Sequence, residues 1–89
     1  MVSNSIYNNS GVKLDTDCAV AILVLARTLN IYGTLFHIKT ERGTMTLCYE
    51  EQGYALYYNK AIVQHIPISR AHTLGARTII DHLLKEGTI

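Results

Sequence analysis

Residues 18–26 read CAVAILVLA, nine side chains in a row without a polar one. Asp15-Thr16-Asp17 precede them and Arg27-Thr28-Leu29-Asn30 follow. Whether this run is a buried strand or a helix decides the fold, and periodicity alone cannot say, because an all-apolar run has no phase. Composition decides it. Ala19, Ala21 and Ala26 with Leu23, Leu25 and Leu29 are strong helix formers and outweigh Val20, Ile22 and Val24. Asp15-Thr16-Asp17 supplies a capping side chain and first-turn acidity, so a helix is expected from there to about Asn30. A helix rests on a sheet with one face, and this one has two dry sides. The second must lie against another helix or a second copy of the chain, which makes Leu23, Leu25 and Leu29 candidate interaction residues.

The run is not a membrane or export segment by its pattern. A spanning helix needs about 20 apolar residues. A signal peptide wants a basic start and a small-residue cleavage site, where this chain has Asp15 and Asp17. The expectation is a protein of the cytoplasm with no membrane partner.

Beyond Tyr32 the pattern becomes alternation. Residues 34–40, 44–50, 54–59 and 61–66 read as strands, with Glu41-Arg42-Gly43 and Glu51-Gln52-Gly53 as turns. Asn59-Lys60 is the weakest turn, and 54–66 read equally as one long strand with a bulge. Links this short give an antiparallel meander. Pro67 then ends the sheet, Ser69 caps, and residues 70–86 carry Ala76, Ile79, Ile80, Leu83 and Leu84 at helical spacing, with Gly87 as the stop. Gly75, within that helix, is explained if Ala71 and Gly75 let it approach Ala19 or Ala26 closely. Residues 1–13 read as a flexible arm, Ile6 and Tyr7 being its only bulky apolar pair; the alternative is a short strand docked on a sheet edge.

The expected fold is therefore α+β: one domain over residues 14–89, an antiparallel meander of three to four strands with two helices packed on one face, in the order α-β-β-β(-β)-α. Alternation points Phe36, Ile38, Met45, Leu47, Tyr49, Leu56, Tyr58 and Ile62 towards the helices. His37, Lys39, Thr44, Thr46, Cys48, Tyr57 and His65 fall on the open face.

The chain has 89 residues, 48% hydrophobic and 17% charged, with eight Lys and Arg against seven Asp and Glu. That is one modest core with an apolar excess, which self-association would cover. The basic residues are scattered, so no electrostatic footprint for nucleic acid stands out. Cys18 and Cys48 suggest reduced, buried thiols rather than a disulfide framework.

Three chemical sets stand against a bland reading. Cys48 with His37 and His65 on one sheet face is the minimum for nucleophilic catalysis, yet no motif surrounds it. His37, His65, His72, His82 and the cysteines match no metal-ligand spacing, so no metal and no other cofactor is expected. Six tyrosines, four of them in Tyr49-Glu50-Glu51-Gln52-Gly53-Tyr54-Ala55-Leu56-Tyr57-Tyr58, alternate with Lys39, Arg42 and Lys60 in a manner that suits base stacking. The order α-β-β-β-α, with Ser69-Arg70-Ala71 opening the second helix, resembles that of the double-stranded-RNA-binding domain. In that family a lysine cluster at this helix start contacts phosphate, where this chain has Ala71, His72, Thr73 and Leu74.

The expected function is a small non-enzymatic interaction or regulatory module acting by macromolecular contact as a homodimer. Its partner is unknown, and the surface would involve Leu23, Leu25, Leu29, Lys39, Tyr57, His37 and His65. A nucleic-acid-binding domain using the tyrosine- and lysine-bearing sheet is the first alternative, and a small Cys/His-dependent enzyme the second. The size and lack of motif would suit an accessory protein of a virus or mobile element.

Overall fold

A computed structural model describes residues 4–86. In chain order these form β1 (Ser5–Asn8), β2 (Lys13–Leu14), α1 (Thr16–Leu29), β3 (Thr34–Thr40), β4 (Gly43–Glu50), β5 (Gly53–Tyr58), β6 (Ala61–Pro67), α2 (Ile68–Thr73) and α3 (Ala76–Glu86). CAVAILVLA is helical. Asp15 stands in extended backbone and its carboxylate accepts from the Cys18 N–H at 2.7 Å, which closes the N-terminus. At the other end Asn30 takes the left-handed conformation, φ 53°, and the Ile31 N–H returns to the Ala26 carbonyl at 2.9 Å. That bond terminates the helix in a Schellman-type turn.

The class is the expected α+β, and the strand count is not. One antiparallel sheet of six strands has the order β2-β1-β3-β4-β5-β6. The two additional strands come from the expected arm and Leu14 just after it, and Ile6 and Tyr7 take the alternative reading of a short strand docked on a sheet edge. Ile6 pairs with Ile38 and is 1% exposed, and Tyr7 pairs with His37. Burial of one isoleucine and four residues of pairing hold β1 to the edge of β3. Two strands ahead of α1 also depart from the element order of the double-stranded-RNA-binding domain.

Register sorts the side chains into two faces. Ile38, Met45 and Tyr58 form one row beneath the helices, Phe36, Leu47 and Leu56 a second, and Tyr49, Tyr54 and Ile66 a third. Onto these rows α1 sets Ala19, Leu23 and Ala26, spaced by four and three residues. The two alanines and Leu23 are all buried, and α1 runs alongside α3. Ile79, Ile80 and Leu83 of α3 and Ala71 of α2 complete the core.

Four expectations are corrected by this packing. Ile62 does not face the helices. A register shift between Leu56 and Tyr57 inserts an extra residue in β6, so Ile62 pairs with Tyr57 on the open face and is 59% exposed. The hairpin turn at Asn59-Lys60 is nevertheless real, with both residues in the left-handed region, as a two-residue turn between twisted strands requires. The helix expected over 70–86 is two helices. Leu74 leaves α2 in extended backbone, φ −89° and ψ 128°, so α3 starts in a new direction at Ala76. Gly75 lies in this break and not at a helix crossing: a Cβ there would meet only the Thr78 hydroxyl, at 3.8 Å. α2 starts at Ile68, with Pro67 as its cap, so Ser69 sits inside it. The expected stop at Gly87 lies outside the described residues.

Arg27 explains how the break is held. Its guanidinium donates to the carbonyls of Leu74 at 2.8 Å, Ala71 at 3.1 Å and His72 at 3.4 Å. These are the last, otherwise unpartnered carbonyls of α2, where a cation is also favoured by the helix dipole. Arg27, the first polar residue after the apolar run, is the tie between α1 and the α2–α3 connection. Arg77 reaches Asp17 at 2.6 Å, but both side chains are exposed, and such a bridge adds little.

Candidate functional site

Two surfaces hold the residues singled out from sequence. The first is the outer side of α1. Burying Ala19, Leu23 and Ala26 turns Cys18, Ala21, Val24, Leu25 and Leu29 outward, with Ile31 and Tyr32 continuing the surface past Asn30. Val24, Leu25, Leu29, Ile31 and Tyr32 are each 46–59% exposed. No charge interrupts them, because Arg27 is turned to α2. Of the candidates, Leu25 and Leu29 therefore share an exposed stripe, while Leu23 belongs to the core. Val24, Ile31 and Tyr32 were missed from sequence. Tyr32 is held with its ring centroid 5.6 Å from that of Tyr49, a contact made only once the loop has folded back on β4.

The second surface is the open face of the sheet. One row across it is Lys13, Tyr7, His37, Thr46, Tyr57 and Ile62; the next is Leu35, Cys48, Ala55 and His65. His37, Lys39, Tyr57 and His65 all lie here, as alternation placed them. His37, Lys39 and Tyr57 on this face each have a partner. Nδ1 of His37 shares a hydrogen bond with Oγ1 of Thr46 at 3.0 Å. Lys39 Nζ stands 4.7 Å above the Tyr7 ring, a cation–π contact that occupies one face of that ring. The Tyr57 hydroxyl donates to Glu50 at 3.2 Å.

Cys48 and His65 share a row with Ala55 between them. Two strand spacings place their backbones about 10 Å apart, beyond hydrogen-bond reach. His37 is diagonal to Cys48 and engaged with Thr46. The thiol itself points a weak hydrogen bond at its neighbour's Tyr49 carbonyl, 3.9 Å away. Burial, and then the charge of Glu50, push the Cys48 thiol up to about 11. A nucleophile needs the opposite shift. Cys18, expected to be buried, is exposed instead.

This difference predicts a two-step alkylation. At pH 8 Cys18 should react with iodoacetamide first. Cys48, with a thiolate fraction about 100-fold below that of an ordinary cysteine, should follow far more slowly. Its rate should climb towards pH 11, and mass spectrometry of the peptides reads both. Modification of Cys48 at pH 7 as fast as a free thiol would instead mark it as activated.

Among the described residues no three of His, Cys, Asp and Glu gather in metal-binding geometry, and no helix is long and apolar enough to cross a membrane. Tyr54 is the one buried side-chain hydroxyl there without a hydrogen bond. Burial lifts its phenol to about 12 against the opposing pull of the Arg27 charge. Comparison with protein-family models, with curated proteins and with solved structures finds no match.

Proposed function

We propose that the protein is a non-enzymatic interaction module that works as a homodimer, joined through the outer face of α1. The observation that supports this is the uncharged stripe of Val24, Leu25, Leu29, Ile31 and Tyr32, exposed although a polar face would have cost the fold nothing. A second copy is the occupant that suits it. Two such stripes crossing about a two-fold axis meet without like charges, and an antiparallel pair sets each helix dipole against the other's opposite end.

Magnitudes fit an association of ordinary strength. Fully burying a leucine or valine gains about 1.5–3 kcal/mol, and two copies offer Val24, Leu25 and Leu29 twice. The sum is of the same order as the roughly 4–15 kcal/mol lost in bringing two molecules together.

The sheet face supports a nucleic-acid reading less well, since Lys39 covers Tyr7 and Tyr57 is tied to an acidic group. His37 bound to Thr46 and a Cys48 thiol pushed upward likewise give an enzyme little support. The deciding measurement is sedimentation of the wild type and of Leu25→Asp at about 50 µM. The wild type should be a dimer. Leu25→Asp should be a folded monomer with an unchanged circular dichroism spectrum, its dissociation constant raised about 100-fold or more. A monomeric wild type, or a dimer untouched by Leu25→Asp and Leu29→Glu, refutes the reading.

A further inference from the structure

The two edges of the sheet are unequally guarded. β2 is two residues long and carries Lys13, and both shortness and charge protect an edge from pairing with another chain. β6 runs for seven residues, Ala61–Pro67, with a strand on one side only among the described residues. It has no Lys, Arg, Asp or Glu. Ile62 and Val63, 59% and 53% exposed, stand side by side where the bulge displaces them, so apolar side chains flank an edge that no strand of the described residues covers.

Charge decides what that strand would be. From Gln52 to Ile80 the chain contains no Asp or Glu, while Lys60, His65, Arg70 and His72 are all exposed. Lys60 stands at the head of β6, and Arg70 follows three residues after its end. The nearest acidic side chain in register, Glu50, is two strands further in, opposite Gly53, and is engaged by Tyr57. A second β6 laid antiparallel on this one would bring Lys60 of each copy to the Arg70 end of the other, cation on cation. An acidic strand would meet the reverse.

We propose that the β6 edge accepts an extended acidic segment of another protein as a seventh strand. Backbone hydrogen bonds along Ala61–Ile66 supply affinity, branched apolar side chains lie beside Ile62 and Val63, and carboxylates are drawn to Lys60 and Arg70. This edge is separate from the α1 stripe, so either can fail without the other.

The test titrates the isotope-labelled full chain with capped peptides of about eight residues, alternating Glu with Val or Lys with Val. The Glu–Val peptide should bind saturably and weaken with salt, with amide shifts and slowed exchange confined to residues 61–67. The Lys–Val peptide, and a Glu–Val peptide methylated on alternate backbone nitrogens, should each bind at least about tenfold more weakly. No saturation by about 1 mM Glu–Val peptide, equal binding of the Lys–Val peptide, or shifts centred on α1 would each overturn the proposal. So would concentration-dependent protection of 61–67 without peptide, which would mean that β6 pairs with itself.

Discussion

Replacing Gly53 by alanine should cost about 3–6 kcal/mol, a large share of the stability of the fold. Gly53 opens β5 with φ at +135°, a region L residues rarely adopt. A Cβ there would sit 1.9 Å from the Ile66 carbonyl oxygen and 2.9 Å from both the Ile68 nitrogen and the Pro67 carbonyl carbon. All three are backbone atoms, at the junction where β6 turns into α2. No rotamer change relieves such a clash. Either β5 withdraws from β6, opening Tyr54 and Ile66, or Pro67 is displaced and α2 with it. A domain of this size has roughly 4–13 kcal/mol of total stability, so the cost runs from about a quarter of it to the whole. Gly33→Ala is the matched control. Gly33 also has positive φ, at +84°, but a Cβ there meets nothing within 4 Å, and only about 1 kcal/mol of backbone strain is expected. Urea unfolding of the two variants measures the difference. A Gly53→Ala protein within about 1 kcal/mol of Gly33→Ala would mean that the β5–α2 junction is slack.

The same glycine shows how much of this fold can be read from sequence. Glu51-Gln52-Gly53 between two alternating runs marks a hairpin by local chemistry alone, and β3 to β6 follow with ends shifted by a residue or so. Local signals were enough wherever the deciding contact was local. They failed where it was distant. β1 has four residues and a single buried anchor, Ile6, and exists because the free edge of β3 is there to pair with it. The parity of Ile62 was inverted by one extra residue in β6, which no alternation count contains. Arg27 looked like a solvated end because its three acceptors lie more than 40 residues away.

The candidate surface was half legible for a related reason. Excess apolar residues announced that α1 has more to bury than one sheet contact uses. Which residues are spare depends on the helix's rotation, and an uninterrupted apolar run does not encode it. The alanines do so in retrospect. Ala19 and Ala26 are buried on one side of the helix, and Leu23 between them shares that side. The larger residues Val24, Leu25 and Leu29 are then outside.

Leu23→Asp should therefore unfold the protein where Leu25→Asp only separates its copies. The two positions differ by two residues, about 200° around the helix. Leu23 is 0% exposed and Leu25 54%. Aspartate at 23 forfeits the leucine's burial and leaves a cavity, about 2.7–5 kcal/mol in comparable truncations. It also puts a carboxylate into the apolar core cluster to which Phe36, Leu47 and Ile79 belong, a further several kcal/mol unless the group takes up a proton. The sum equals or exceeds the whole stability, so neutral-pH spectra should lose amide dispersion and helical signal. Protonation relieves part of the penalty, and Leu23→Asp should recover structure, if at all, on acidification towards pH 4–5. Leu25→Asp should keep full dispersion at every such pH. A folded Leu23→Asp monomer at pH 7 would place the dry seam of CAVAILVLA between subunits and turn the helix over. Unfolding of Leu25→Asp would leave the helix no outer face on which a second copy could dock.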